Sequence, residues 1–247
     1  MKAMIFAAGL GTRLRPITDT IPKALVPIAG KPLLEHVVTK LADNGFDEIV
    51  VNVHHHADKI ISFLNEKKNF GIHIDISDER ELLLETGGGI RHAAKFFNDG
   101  APFLVHNVDI LSNANLKEIY DFHMRNENIA TLLVNRRNTS RYLLFDDTKR
   151  LCGWTNVKTG EIKSPIIDFK PENYDRYAFS GIQVLSPSVF RHMDGFPPKF
   201  PIMDFYLKKA NEIRIGAYFD ENLQMIDVGK LGSMHEAEEL YKPKPVE

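Results

Sequence analysis

Short apolar runs alternate with amphipathic segments along the first half of the chain, and this alternation restricts the fold more than any other feature. Apolar runs between turn signals are typical of buried strands, and apolar residues spaced by three and four are typical of helices. The order of strand and helix favours parallel βα units. The predicted strands are Lys2–Ala7, Glu48–Val53, Ile72–Ser77, Pro102–His106 and Ile129–Asn135, and the predicted helices are Pro32–Asn44, Ala57–Lys67, Gly88–Phe97 and Asn115–Asn126.

After Asn135 the apolar runs become shorter and turn signals separate them, which predicts a small antiparallel extension. Its strands are expected at Tyr142–Asp146, Leu151–Thr155 and Tyr177–Leu185. The last third predicts a helix at Pro201–Glu212, a strand at Arg214–Phe219, a short run ending at Asp227 and a helix at Leu231–Tyr241. We expect one domain over residues 1–241, with halves 1–135 and 136–241, and a frayed tail at 242–247.

The charge balance excludes several classes of partner. Acidic residues number 33 and basic residues 31, so no net field attracts nucleic acid or an anionic membrane. Cys152 is the single cysteine, which excludes an intrachain disulfide and suits a reducing compartment. No secretory signal or transmembrane stretch is recognisable, and we expect a cytoplasmic protein.

The segment AAGLGTRLRP, residues 7–16, directly follows the first predicted strand. A glycine-rich turn at this point can direct several backbone N–H groups at an anion, and Arg13, Arg15 and Lys23 add positive charge. The segment lacks the Gly-Lys-Ser/Thr ending of a Walker loop, and Leu14 stands where a dinucleotide fingerprint has its third glycine. The segment predicts a phosphate site, and a solvated basic turn is the alternative.

Two aspartates follow predicted strands that lie far apart in the sequence. Asp109 comes after the run FLVHNV, and Asp227 comes after Met225 and Ile226. Ligands of open α/β sheets bind at the carboxyl ends of strands, and Mg²⁺ prefers one or two carboxylates together with phosphate oxygens. The pair is a candidate magnesium site, with a helix cap or a turn residue as the alternative for each.

A second glycine cluster lies in LLLETGGGIRHAAKFF, residues 82–97. It predicts close approach of the backbone to a ligand, or else a plain loop before a helix. Consecutive histidines at 54–56 resemble a transition-metal motif only superficially, because neighbouring residues on a strand point to opposite faces. We interpret these histidines as a loop that borders the ligand cleft.

The string AAGLGTRLRP, followed by Pro22-Lys23 and Pro27, resembles the signature of the sugar-phosphate nucleotidylyltransferases. The resemblance implies the nucleotide-diphospho-sugar transferase fold, a Rossmann-like, mixed and mostly parallel sheet flanked by helices with a small antiparallel extension. It implies catalytic roles for Arg13 and Lys23. It also implies that the nucleoside triphosphate is bound by Ala8, Gly9, Gly11 and Thr12.

Further segments extend the resemblance. LVHNVDIL and MIDVGKLGSM are similar to the family's metal-binding segments, which implies metal ligation by Asp109 and Asp227, although Val108 and Lys230 depart from the family pattern. LLLETGGGI looks like a segment of bacterial N-acetylmuramate 1-phosphate uridylyltransferases and implies nucleotide binding. YAFSGIQVLSP and FKP are similar to acceptor-binding segments, but FKP lacks the usual glutamate. The residues implied are Glu85, Thr86, Gly87 and Gly88 for the nucleotide, and Asn107, Ser180, Gly181 and Lys170 for the acceptor.

The resemblance implies transfer of a nucleoside monophosphate from an NTP to a sugar 1-phosphate with Mg²⁺. The leading pair is UTP with an amino-sugar 1-phosphate. The alternatives are GTP with mannose or heptose 1-phosphate, CTP with phosphocholine, and a catalytically silent regulator that binds nucleotide sugars. We expect a monomer or small homo-oligomer that uses neither nucleic acid nor membrane as a partner.

Overall fold

The computed structural model describes residues 1–229 and 231–241. Lys230 and the predicted tail 242–247 lie outside the described residues. The strands are β1 Lys2–Phe6, β2 Pro27–Ile28, β3 Lys31–Pro32, β4 Glu48–Val53, β5 His73–Asp78, β6 Phe103–Asn107, β7 Ile110–Ser112, β8 Ala130–Asn135, β9 Arg141–Phe145, β10 Leu151–Asn156, β11 Glu161–Lys163, β12 Asp175–Leu185, β13 Ile215–Phe219 and β14 Met225–Asp227. The α-helices are α1 Leu33–Asp43, α2 Ala57–Glu66, α3 Glu85–His92, α4 Leu116–Met124, α5 Val189–His192, α6 Ile202–Lys209 and α7 Leu231–Tyr241.

The chain forms two compact units, and several segments contribute to each. Unit 1 comprises Met1–Leu83, His106–Ala114 and the described residues between Gln224 and Tyr241. Unit 2 comprises Leu84–Val105 and Asn115–Leu223. The predicted division into a nucleotide-binding half, residues 1–135, and an acceptor-binding half, residues 136–241, stays a prediction.

Unit 1 is built on parallel strands. β1 pairs with β4, and β4 pairs with β5, both in parallel register. The connecting helix α1 buries Leu33, Leu34, Val37, Val38 and Leu41, which recur at helical spacing as predicted. Strands β7 and β14 form a separate antiparallel pair in the same unit.

Unit 2 contains the antiparallel extension. β12 pairs with β9 and β8, β9 pairs with β10, and β10 pairs with β11, all antiparallel, while β13 pairs with β8 in parallel. The fold class is therefore confirmed: a mixed, mostly parallel sheet flanked by helices, with antiparallel additions.

Most element boundaries agree with the predicted ones, and α3 differs in an informative way. It begins at Glu85 rather than Gly88, and a 3₁₀ turn at Ala93–Phe96 takes the place of its predicted last turn. The glycines of the second cluster therefore lie inside a helix. No helix within the described parts of the chain has the length and apolar character needed to cross a bilayer.

Candidate active site

The glycine loop of unit 1 is held at its start by a buried amide. Asn52, on β4, accepts hydrogen bonds through Oδ1 from the backbone N–H of Ala7 at 2.7 Å and of Ala8 at 3.2 Å. The Asn52 side-chain amide donates in turn to Glu79 Oε1 at 2.8 Å, and both residues are buried. Because these bonds join three strand ends, they fix the point at which the chain leaves β1.

The loop then turns tightly around Gly11. This residue has a φ of 65°, a conformation that glycine adopts without a steric penalty. Its carbonyl accepts from Thr18 Oγ1 at 2.8 Å and from Leu14 N at 2.9 Å. Among the residues that the structure describes, the backbone N–H groups of residues 9–12 have no acceptor. Such a row of N–H groups can bind an anion.

Lys23 and Asp109 lie close together beside this loop. The N–H of Val108 donates to the carbonyl of Phe6 at 3.2 Å, which brings Asp109 to the carboxyl end of β1. The Lys23 ammonium forms an ion pair with Asp109 Oδ2, and the two side chains are only 11% and 17% exposed. Shielding from water strengthens such a pair relative to one on the surface.

Asp227 reaches the same region through the pairing of β7 with β14. It lies opposite Ile110, and the N–H of Val228 donates to the carbonyl of Asp109 at 2.8 Å. The Arg13 guanidinium also lies here, because a Cβ added to Gly229 would come within 2.7 Å of its NH2 and 2.6 Å of Asp227 Oδ1. Gly229 thus leaves room for a cation and an anion side by side.

Asp109 and Asp227 are candidates to hold a divalent ion together with a polyphosphate. Asp109 and Asp227 are neighbours although 118 positions separate them in the sequence. Within residues 1–229 and 231–241, no group of three or more histidine, cysteine, aspartate or glutamate side chains could hold a metal ion by itself. Mg²⁺ suits this arrangement, since it usually keeps waters and phosphate oxygens as its other ligands.

Three histidines near the site have either a lowered pKa or a bond to a backbone carbonyl: His54, His56 and His106. Burial lowers the pKa of His106 to about 4, although its ring Nδ1 bonds the carbonyl of Asn107, the last residue of β6, at 2.8 Å. His54 Nδ1 bonds the carbonyl of Glu79 at 2.7 Å, and the His56 ring lies 3.9 Å from the His55 ring at a tilt of 49°. Burial and the neighbouring His55 and Lys59 lower the pKa of His56.

The second glycine cluster is in unit 2, where its N–H groups already have acceptors. Gly87 and Gly88 both donate to the carbonyl of Phe200, at 2.9 and 3.2 Å. Thr86 Oγ1 accepts from the N–H of Ile202 at 2.9 Å, and Glu85 lies 3.7 Å from the Lys199 ammonium. These contacts give the segment a packing role, and its role in nucleotide binding stays a prediction.

The predicted acceptor residues of unit 2 are of two kinds. Ser180 is buried and donates to the carbonyl of Leu133 at 2.6 Å, and Gly181 has a φ of 77°. Lys170 is exposed and precedes the 3₁₀ turn Pro171–Asn173. The structure thus associates Ser180 and Gly181 with one strand, β12, and sets Lys170 on a surface loop.

Sequence reasoning missed three residues that shape the unit 1 site: Asn52, Thr18 and Gly229. Asn52 could have been found, because a polar residue inside the apolar run EIVVNV is unusual and buried polar groups need partners. Gly229 could have been found in the same way, as a glycine two residues after a candidate ligand. Nothing local distinguishes Thr18 from an ordinary loop residue.

Comparison with known proteins gives a family and several relatives. The family model described as nucleotidyl transferase matches residues 2–243. An N-acetylmuramate alpha-1-phosphate uridylyltransferase of Caulobacter vibrioides is 49% identical over 43% of this chain and 45% of its own length. A UTP–glucose-1-phosphate uridylyltransferase of Synechocystis is 34% identical over 71% of this chain and 50% of its own. A mannose-1-phosphate guanyltransferase of Yarrowia lipolytica is 31% identical over 93% of this chain and 61% of its own.

These matches span about half the length of the curated relatives. Solved structures are similar over nearly their whole length. HddC from Yersinia pseudotuberculosis, complexed with GMP-PN, is 24% identical with a TM-score of 0.76 over 98% of this chain and 99% of that one. UDP-glucose pyrophosphorylase from Acinetobacter baumanii is 18% identical with a TM-score of 0.77 over 97% and 92%. At these identities the likeness concerns the fold alone.

Proposed function

Because this chain belongs to the nucleotidyl transferase family, we propose that it transfers a nucleoside monophosphate from an NTP to a sugar 1-phosphate and releases pyrophosphate. The observation that carries the proposal is the convergence in unit 1 of two cations and two carboxylates on one glycine loop. The cations are Arg13 and Lys23, and the carboxylates are Asp109 and Asp227.

The loop binds the triphosphate in this proposal. The N–H groups of residues 9–12, which have no acceptor in the described part of the chain, favour an anion. The Arg13 guanidinium can donate two parallel hydrogen bonds to phosphate oxygens. Attack at the α-phosphate leaves negative charge on the departing pyrophosphate. Lys23, as a movable point charge, stabilises that developing charge.

Asp109 and Asp227 hold a divalent ion with the triphosphate. Family members in general depend on a divalent metal, and Mg²⁺ is the ion proposed here. When bound, such an ion neutralises phosphate charge and orients the reacting oxygens. The Lys23 ammonium neutralises Asp109, so that carboxylate is not left as an uncompensated charge.

The reaction needs no activated nucleophile from the protein. The second pKa of a phosphate monoester is about 6, so the acceptor oxygen is largely ionised at neutral pH. His106 and its neighbours therefore need not act as a general base. Positioning and charge neutralisation supply the catalysis. We also propose a cytoplasmic location, which a single cysteine, Cys152, suits.

UTP with an amino-sugar 1-phosphate is the leading pair. The relative with 49% identity over its matched part is named an N-acetylmuramate alpha-1-phosphate uridylyltransferase, as is one from Neisseria meningitidis with 45%. GTP with mannose or heptose 1-phosphate is the first alternative, since a guanyltransferase matches 93% of the chain. CTP with phosphocholine is the second.

Pyrophosphate release tests the proposal. The purified chain is incubated with UTP, GTP or CTP in combination with N-acetylmuramate, glucose, mannose or heptose 1-phosphate, or with phosphocholine, each with Mg²⁺ and with excess EDTA. We expect release from at least one pair, and only when Mg²⁺ is present. Release from no pair, together with measurable binding of a nucleotide sugar, would support a silent regulator instead.

A further inference from the structure

A separate polar cluster lies in unit 2, where β8 ends and β12 bulges. It consists of Asn135, Arg137 and the backbone of β12 from Phe179 to Gly181. Asn135 is the last residue of β8 and lies opposite Ala178, and Arg137 NH2 donates to the carbonyl of Phe179 at 2.9 Å. The cluster is thus built from two strands of one unit.

The bulge explains why this position is irregular. Phe179 lies opposite Val134, but Gln183 lies opposite Leu132, so residues 180–182 share one partner residue, Leu133. The positive φ of Gly181 allows the backbone of β12 to follow the bulge. The Ser180 hydroxyl donates a hydrogen bond to the carbonyl of Leu133. Bulges of this kind are frequent beside binding sites, where they redirect side chains.

Two polar atoms of the cluster lack partners. Asn135 is 7% exposed, and its buried Oδ1 has no hydrogen-bond partner among the described residues. Arg137 Nε is also buried without an acceptor in the described part of the chain, although the same guanidinium bonds Phe179. Buried polar groups nearly always have a partner, so Asn135 Oδ1 and Arg137 Nε offer one acceptor and one donor that a ligand can use.

The chemistry of the atoms defines the ligand. A guanidinium N–H donates best to an anionic oxygen, and a carboxamide oxygen accepts from a hydroxyl or an amide N–H. A sugar phosphate carries both kinds of group. We propose that Arg137 and Asn135 bind the acceptor, Arg137 through an anionic oxygen and Asn135 through a hydroxyl or amide of the sugar. This inference rests on the proposed function, because it assumes a sugar-phosphate acceptor.

The adjacent Arg136 provides a matched control. It carries the same charge one position away, but it is exposed and lies over the rings of Tyr177 at 5.9 Å and Phe219 at 5.4 Å. Arg136→Gln therefore removes the same charge from the same strand end without removing a donor from the cluster.

The test compares Arg137→Gln, Asn135→Asp and Arg136→Gln in the full chain. For the acceptor that gives turnover, Arg137→Gln should raise KM about 10- to 100-fold and leave KM for the NTP within about twofold. Asn135→Asp, which keeps the side-chain volume, should also raise the acceptor KM. Arg136→Gln should change neither KM. An unchanged acceptor KM in Arg137→Gln, or an equal rise in both KM values, would overturn the inference.

Calorimetric titration with glucose 1-phosphate and with N-acetylmuramate makes the test independent of turnover. The first probe carries only a phosphate and the second only a carboxylate as its anion. Weaker binding of either probe to Arg137→Gln supports the inference and identifies which anionic oxygen Arg137 contacts. Equal binding of both probes by wild type and Arg137→Gln refutes it. Failure of the proposed function is distinct, since it appears as absent pyrophosphate release in the wild type itself.

Discussion

The two glycine clusters of this protein look alike in sequence and differ in structure. In unit 1, Gly9 is exposed with nothing within 4 Å of where a Cβ would lie, and the N–H groups of its loop lack acceptors among the described residues. In unit 2, Gly87 is buried inside α3, and a Cβ there would lie 2.3 Å from the Phe200 ring. The first cluster exposes its backbone, and the second packs its backbone against a neighbour.

This difference shows that glycine runs have two physical causes. A missing side chain allows a ligand to approach the backbone, and it equally allows another part of the protein to do so. The use made of the neighbouring charges distinguishes the cases. Arg91, which follows the second cluster, donates to backbone carbonyls of residues 193, 196 and 197, whereas Arg13 and Lys23 lie beside Asp227 and Asp109. We therefore expect substitutions near the loop to affect chemistry and substitutions in α3 to affect stability.

Asp109→Ala should have the largest effect. It removes one of the two adjacent carboxylates, and we expect a loss in kcat of roughly 1000-fold or more while cooperative unfolding is retained. Steady-state pyrophosphate release and urea unfolding measure both quantities. Asp43→Asn, an exposed carboxylate of the same unit, is the control. Turnover near the wild-type rate in Asp109→Ala would remove the metal site from the proposal.

Lys23→Ala should come next. Loss of one preorganised charged donor costs about 3 kcal/mol of transition-state stabilisation, or roughly 100-fold in kcat. Lys31→Ala, an exposed lysine of unit 1, should leave kcat unchanged. If Lys23→Ala alters only the unfolding midpoint and not kcat, Lys23 is a structural partner of Asp109.

Gly87→Ala paired with Gly9→Ala tests the comparison directly. Overpacking against Phe200 should lower the free energy of unfolding by about 1–3 kcal/mol in Gly87→Ala. Gly9→Ala should change the same quantity by less than about 0.5 kcal/mol, because its surroundings are open. Chemical denaturation of both variants gives the numbers. Equal destabilisation would show that both glycines are packed against neighbouring atoms and would contradict the comparison.

Acid should lower the free energy of unfolding through one buried histidine in each unit. Burial lowers the pKa of His106 in unit 1 and of His123 in unit 2 to about 4, from 6.5. The unfolded chain therefore binds more protons between pH 6.5 and pH 4, so stability is full above this window and falls as the pH drops through it. We expect a loss of about 2 kcal/mol per histidine between pH 7 and pH 5, measured by urea unfolding.

His123→Gln should flatten this pH dependence. The His123 ring nitrogens lie 2.8 Å from Thr131 Oγ1 and 2.9 Å from Ser186 Oγ, whereas His106 Nε2 has no partner among the described residues. A glutamine at position 123 can keep one of the hydrogen bonds to Thr131 and Ser186 but does not titrate. An unchanged slope in His123→Gln would assign the acid sensitivity to other groups.

Much of the fold was predictable because its causes are local. Strand and helix order in the first half follows from apolar spacing, as the buried face of α1 illustrates. The predicted start of α3 at Gly88 was wrong because glycines disfavour helices. The segment around Phe200 accepts hydrogen bonds from Gly87 and Gly88 and stabilises the helix there. The short run predicted to end at Asp227 is β14, but its partner β7 was missed because it is only three residues long.

Some residues of the candidate site were also predictable from the local sequence, and others were not. The glycine loop, Arg13 and Lys23 can be recognised within residues 7–23 of the sequence, whereas the roles of Asn52 and Gly229 follow only from what they contact. The same holds for Asn135 and Arg137, whose unpartnered atoms depend on a bulge in another strand.

By itself the sequence determined the parallel βα units and the position of the first glycine loop, because backbone propensity and side-chain spacing act over a few residues. Only the tertiary structure brought Asp227 beside Asp109 and turned one glycine run into a packed helix. Both outcomes depend on contacts between residues more than a hundred positions apart, and no local pattern records them.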